Sequence, residues 1–256
     1  MRLITYNVNG IRSAMRKGWL EWVKATNPDI ICLQEIKASP EQLTDLLILE
    51  QLGYEHYWYP AQKKGYSGTA IITKISPKKV TYGCGEALYD NEGRIIMAEF
   101  DQFAVLSTYF PSGTTGDIRQ EFKYRFLADF KSYINKLKVD TPNLIVSGDY
   151  NICHKAIDIH NPVSNKNSSG FLPEERAWMD DFIDSGFIDS FRHINPDPHH
   201  YTWWSFRARA RERNLGWRID YNMVSASMES QIKDARILAE AVHSDHCPVL
   251  LELQSV

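Results

Sequence analysis

A series of short β-rich runs, several of them ending in polar or acidic residues, constrains this chain most. They are Leu3–Val8, Ile30–Leu33, Thr69–Thr73, Ile95–Phe100, Ala104–Tyr109, Leu144–Val146, Ile219–Val224 and Val249–Leu253. Amphipathic stretches separate some of them. Trp19–Thr26 is one, and in Ile118–Leu137 the residues Phe122, Phe126, Phe130, Ile134 and Leu137 recur at helical spacing. A third begins at Pro173-Glu174-Glu175, where proline and acids suit a helix start, and runs to Asp184 ahead of Gly186. Strand runs mixed with helices predict one α/β domain over residues 1–256, built on a large sheet core.

The run ends carry the chemistry. Leu3–Tyr6 ends in Asn7, Ile30–Leu33 in Gln34-Glu35, and Leu144–Val146 in Gly148-Asp149-Tyr150-Asn151. Ile219–Val224 contains Asp220, and Ser244-Asp245-His246 stands just before Val249–Leu253. Strand ends on a rigid sheet are good places for a preorganised site. Any one of these acids reads equally well as a solvated strand end. Together, Asn7, Glu35, Asp149, Asn151, Asp220, Asp245 and His246 supply oxygen ligands and one imidazole. Such hard donors suit Mg²⁺, Mn²⁺ or Ca²⁺ rather than zinc. A phosphate-ester hydrolase needs an ion to offset phosphoryl charge, a base to activate water, and donors for the transition state.

Composition narrows the partners. Hydrophobic residues at 43% and charged residues at 24% of 256 exclude wholesale disorder. Against 32 acids stand 29 bases, a net charge of −3, which excludes a histone-like polycation but leaves room for a local basic face. That face is expected at Tyr201–Asp220. There Arg207, Arg209, Arg211, Arg213 and Arg218 outnumber Glu212 and Asp220 and interleave with Trp203, Trp204, Phe206 and Trp217. Arginines for backbone phosphates and aromatic faces for a displaced sugar or base suit a nucleic-acid groove, although a charged loop over a tryptophan-rich core would read the same. Cys32, Cys84, Cys153 and Cys247 form no CxxC pair, so free thiols in a reducing compartment are expected. No apolar run approaches the ~18 residues that span a bilayer, and the expectation is a cytoplasmic protein with no membrane contact.

Six ordered motifs then carry a resemblance over the whole chain. Tyr6-Asn7-Val8-Asn9-Gly10-Ile11-Arg12, Cys32-Leu33-Gln34-Glu35, Lys64-Gly65-Tyr66-Ser67-Gly68, Gly148-Asp149-Tyr150-Asn151, Gly216-Trp217-Arg218-Ile219-Asp220-Tyr221 and Ser244-Asp245-His246-Cys247-Pro248 resemble the exonuclease III family of abasic-site DNA endonucleases. The wider superfamily, with DNase I-like nucleases and inositol phosphatases, shares this core. The resemblance implies a four-layer α/β sandwich, two packed mixed sheets flanked by helices. It implies Mg²⁺ (with Mn²⁺ a substitute) held principally by Glu35, with Asn7 and Asp245 nearby, and a second ion at Asp149, Asn151 and His246 if two act. Asp149 would activate or orient water, and Asn151 would stabilise the nucleophile and phosphoryl oxygens. His246 would contact the scissile phosphate, oriented by Asp220. Tyr109 would contact the phosphate or assist the leaving oxygen.

The same resemblance implies double-stranded DNA with abasic sites or blocked 3′ ends as partner. Trp203, Trp217 and Ile219 would form the sugar pocket, and Arg207 would insert into the duplex. Lys63, Lys64, Tyr66 and the segment from Arg12 to Lys17 would meet phosphates, and Asn165 would lie near the lesion. Asn9 stands where some relatives carry aspartate, and Ser112 and Ser168 replace frequent asparagines. Ser169 is small enough to leave the sugar pocket open, which favours incision 5′ to abasic sites over pure exonuclease action. The expected activities are that incision, 3′→5′ exonuclease and 3′-phosphodiesterase. The alternatives are a superfamily phosphatase for small phosphoesters, which would not need the Arg/Trp segment, and a catalytically silent damaged-DNA-binding module. A monomer is the expected state.

Overall fold

The computed structural model describes residues 1–254. One sheet contains β1 (Arg2–Asn7), β2 (Ile30–Gln34), β3 (Glu55–Tyr59), β4 (Thr69–Thr73), β13 (Ile232–Ile237) and β14 (Val249–Leu253), in the order β13-β14-β1-β2-β4-β3. The other contains β5 (Lys79–Tyr82), β6 (Ile95–Glu99), β7 (Ala104–Tyr109), β8 (Leu144–Asp149), β9 (Phe187–Asp189) and β12 (Asp220–Ser225), in the order β5-β6-β7-β8-β12-β9. Each sheet has one central parallel pair, β1–β2 and β7–β8, among antiparallel neighbours. A small ribbon, β10 (Trp203–Trp204) with β11 (Gly216–Trp217), stands apart from both.

Continuous apolar runs with a two-residue period explain the layering, because successive side chains leave a strand on opposite faces. Leu3, Ile30, Cys32, Ile71, Ile96, Val105, Ile145 and Val224 meet in the core between the sheets. Their neighbours Ile4, Ile31 and Leu33 face the other way, onto the helix Trp19–Thr26 through Trp19, Leu20 and Val23. Leu106, Leu144 and Val146 face the helices Asp117–Asp140 and Pro173–Asp184 through Phe126, Phe130, Met179 and Phe182. The order is helix, sheet, sheet, helix: the four-layer α/β sandwich of the DNase I-like fold.

Toward one edge the layer between the sheets turns from apolar to polar. Gln34 accepts from Thr5 Oγ1 at 3.2 Å and donates to Ser107 Oγ at 3.0 Å, and Ser107 donates to the Leu33 carbonyl at 2.9 Å. Ser147 donates to Asn222 at 2.7 Å, and Asn222 donates to the Val249 carbonyl at 3.1 Å. Every member has a partner, so this buried polar layer fixes the register of the sheets at the edge where the site lies.

Candidate active site

Strand ends of both sheets converge here. Asn7 closes β1, Tyr109 closes β7, Asp149 closes β8, and Asp220 opens β12 directly opposite Asp149. Glu35 follows β2 by one residue. Asn7 joins the two sheets: its amide donates to Glu35 Oε1 and to Asp149 Oδ2, both at 2.8 Å. Gly148 is required beside Asp149, because a Cβ there would fall 1.9 Å from the Thr108 carbonyl of the adjoining strand. Asn9, Glu35, Lys37 and Asn151 all hold a left-handed backbone with φ between 44° and 51°. Such conformations persist only where the surroundings over-determine them.

Glu35, Asp149 and His246 each present a ligand atom within 4.8 Å of one another. His246 Nδ1 bonds Asp220 Oδ2 at 2.9 Å, and Nε2 lies 3.9 Å from Asp149 Oδ2. Burial opposes the charge on His246, but Asp220 and then Asp149 outweigh it and raise the imidazole to about 10. At neutral pH the ring is therefore a cation with an N–H toward the site. Burial, and then the charge of Asp220, push Asp149 up to about 7, against the attraction of His246. For Glu35, Lys37 at 2.7 Å and the Asn7 amide overcome burial and hold the carboxyl low. Burial, and then Glu35, keep the Tyr109 phenol far above its ordinary range, so it stays a proton donor. The Asn151 amide donates to the Phe110 carbonyl at 2.9 Å and to Asp149 Oδ2 at 3.3 Å. Asp245 accepts from Asn9 at 2.9 Å and from Trp203 Nε1 at 3.0 Å.

The cluster opens into a cavity of about 730 Å³ walled by Glu35, Tyr109, Asp149, Asn151, Trp203 and Trp217, with Ile219, Asp245, His246, Ser112, Ser168 and Ser169 also lining it. Trp203 and Trp217 pair across the β10–β11 ribbon, edge to face at 5.9 Å.

Other expected contacts lie outside this cavity. Asn165 donates to the His160 and Asn161 carbonyls at 3.0 and 3.1 Å. The Tyr66 hydroxyl accepts from Arg119 at 3.0 Å and lines a separate groove with Lys63 and Lys64, and Arg12 is exposed beside a third depression. Arg207 is exposed on the loop after Trp204, as are Phe206, Arg209 and Arg213. Arg218 corrects the reading of this segment as one basic groove. It is fully buried, with Nε on Asp158 at 2.7 Å and its outer nitrogens on Asp189 at 3.1 and 2.7 Å. Arg211 stacks on Trp204 and caps the carbonyls of Ala239, Ala241 and Ser244.

Residues 4–246 match the model of the Endonuclease/Exonuclease/phosphatase family. The chain belongs to that family. Within it, the chain is 46% identical to an exodeoxyribonuclease of Bacillus subtilis over 98% of each chain. It is 41% identical to a DNA-(apurinic or apyrimidinic site) endonuclease of Dictyostelium discoideum, over 97% of this chain and 69% of the relative. A 3′ phosphatase from Neisseria, solved with a product DNA hairpin, superposes over 100% of both chains with a TM-score of 0.91 at 28% identity. This family member is thus a phosphodiester hydrolase of the exonuclease III type. None of its helices, among the described residues, is long and apolar enough to cross a membrane.

The site holds groups that sequence reasoning passed over. Lys37 bridges Glu35 and the Asn9 side-chain oxygen. Lys123 and Glu175 form a fully buried ion pair beneath the cavity, where Lys123 also holds the Asn151 carbonyl at 2.8 Å. In sequence both interrupt the apolar stripe of their helices, Lys123 in line with Phe126, Leu127 and Phe130 and Glu175 in line with Met179 and Phe182, and that spacing is the signal that could have found them.

Proposed function

We propose that the chain is a Mg²⁺-dependent DNA repair nuclease that hydrolyses the phosphodiester 5′ to an abasic site. The products are a 3′-hydroxyl and a 5′-deoxyribose phosphate, and 3′→5′ exonuclease and 3′-phosphodiesterase action at blocked ends accompany it. The observation that carries this reading is the convergence of Glu35, Asp149 and His246 at the mouth of a cavity walled by Trp203, Trp217 and Ile219. Acidic groups from both sheets supply the base and ligands, and an apolar pocket beside them suits a sugar without its base.

The donor set fits a hard divalent ion. It is rich in oxygen, contains no thiolate, and brings Glu35 and Asp149 within 4.8 Å of each other, where burial first and then the charge of Asp220 push Asp149 up to about 7. Glu35 would be the main ligand, with Asn7 and Asp245 near it; Asp149, Asn151 and His246 would hold a second ion only with the imidazole Nε2 deprotonated, in place of its donation to phosphate. The ion, when bound, offsets charge on the phosphoryl oxygens. Asp149 takes the proton of the attacking water, a role suited to a carboxylate that titrates near neutrality. The His246 N–H donates to a phosphoryl oxygen, with Asp220 holding the imidazole in place. The Asn151 N–H groups are committed to the Phe110 carbonyl and Asp149, which leaves its side-chain oxygen to hold the attacking water. The Tyr109 hydroxyl donates to a phosphoryl or leaving oxygen. Exposed Arg207, Arg209 and Arg213, with Arg12, Tyr66 and Asn165 farther out, follow the duplex. The working unit is a single chain folded as one domain. The free thiols, three of them buried, favour the cytoplasm.

The test is a duplex bearing one tetrahydrofuran abasic analogue, incubated with Mg²⁺ or with EDTA. Incision immediately 5′ to the analogue in Mg²⁺ alone is expected. No incision in Mg²⁺ would refute the reading.

A further inference from the structure

A directed chain of hydrogen bonds runs from the buried ion pair to the cavity wall. Lys123 donates to Glu175, and both side chains are fully buried. Glu175 also accepts from the backbone N–H groups of Gly170 and Leu172, and Gln120 Nε2 donates to it at 3.1 Å. A carboxylate can only accept, so it dictates which end of the Gln120 amide faces it. The Gln120 oxygen must therefore face the other way, and it accepts from the Ser169 hydroxyl at 2.6 Å. Gly113 closes over the pair. A Cβ on Gly113 would lie 1.9 Å from Gln120 Oε1 and 2.6 Å from Ser169 Oγ. Gln120 and Ser169 both line the cavity.

The consequence is a polarity. A serine hydroxyl has one proton and two lone pairs. With the proton committed to Gln120, Ser169 Oγ can offer the cavity only acceptor capacity. An abasic deoxyribose exists mainly as a cyclic hemiacetal, whose C1′ hydroxyl is a donor. The tetrahydrofuran analogue has no such hydroxyl.

We propose that Ser169 is a specificity-determining acceptor for the C1′ hydroxyl of the abasic sugar, oriented by Gln120, Glu175 and Lys123. This rests on the reading of the cavity as the abasic-sugar pocket. The measurement is the ratio of kcat/KM for a natural abasic site, made by removing uracil from a duplex, to kcat/KM for tetrahydrofuran in the same sequence. The ratio is independent of the folded fraction of each preparation. Wild type is expected to favour the hemiacetal, and Ser169→Ala to lower the ratio about fivefold, as loss of one neutral hydrogen bond would. Gln120→Leu, which removes the acceptor that takes the Ser169 proton while keeping Ser169 and the side-chain bulk, is expected to lower it part-way. A merely structural role would slow both substrates together and leave the ratio unmoved. An unchanged ratio in Ser169→Ala overturns the proposal, and one that falls there but not in Gln120→Leu overturns the orienting role of Gln120. If wild type cuts neither substrate in Mg²⁺, it is the nuclease reading that fails.

Discussion

Two buried charge clusters sit close together in this molecule, and they are built on opposite principles. In one, Arg218 and Arg192 face Asp158 and Asp189, so the charges balance. Burial works against the charge on Asp158, yet Arg218 and Arg192 lower it to about 2. In the other, Glu35, Asp149, Asp220 and Asp245 surround His246, with Lys37 alone beside Glu35 at the rim. There burial and a neighbouring carboxylate raise Asp149 to about 7. The balanced cluster is complete in itself and holds the segment carrying Trp217, Ile219 and Asp220. The unbalanced one is left with charge that a cation and a phosphate would complete. Buried charge is thus structural or functional according to whether its partners are already in the chain.

Substitutions should separate the two. The largest effect is expected for Asp149→Asn, which should lower the single-turnover rate at least about a thousandfold while abasic-duplex binding survives. Near-normal turnover would remove Asp149 from the chemistry. Asp158→Asn, by contrast, should leave the buried Arg218 and the partly buried Arg192 short of a partner and cost about 3–5 kcal/mol in a urea melt. Its activity per folded molecule should stay close to wild type.

The pH dependence of the metal-free protein should also differ in sign between the clusters. Asp158 titrates below an ordinary carboxylate, so its contribution is full above about pH 4 and is lost as pH falls toward 2. Asp149 titrates above one, so the folded state loses stability as pH rises from about 4 through 7. His246, raised to about 10, contributes fully below about pH 6.5 and loses that contribution as pH climbs through 10. Added Mg²⁺ should therefore raise the melting temperature more at pH 8 than at pH 5, and Asp149→Asn should abolish that difference. Equal shifts at both pH values would contradict the imbalance. The smallest effect concerns DNA affinity. Arg207→Ala, Arg209→Ala or Arg213→Ala should each reduce the slope of log affinity against log salt by about one, whereas Arg218→Met should leave it unchanged.

The interior strands β1, β2, β4, β7 and β8 are legible in the sequence because they are largely apolar on both faces, and β1, β2, β7 and β8 also end in or just before the polar groups of the site. The edge strands β3, β5, β9 and β13 carry no such signal, β9 because it is only three residues long. In β3, β5 and β13, residues such as Glu55, Lys79 and Lys233 belong to solvent-facing rims where no apolar run is needed. Charged residues were legible where a motif held them and illegible where tertiary partners decide. Arg218 reads like Arg207 along the chain, and only Asp158 and Asp189, brought from elsewhere, separate a clamp from a phosphate contact. Lys123 and Glu175 interrupt the apolar stripes of two separate helices, so their burial has a spacing signal, but that they meet each other and Gln120 is decided only by the fold. The left-handed backbone at Asn151 and Glu35 left no mark in a sequence without glycine at those positions.

The claim that the unbalanced cluster awaits a cation is tested most directly by anomalous diffraction from crystals soaked in Mn²⁺. The account predicts one dominant peak bonded to a Glu35 carboxylate oxygen, lost in Glu35→Gln. Peaks confined to surface acids, with none at Glu35, would contradict it.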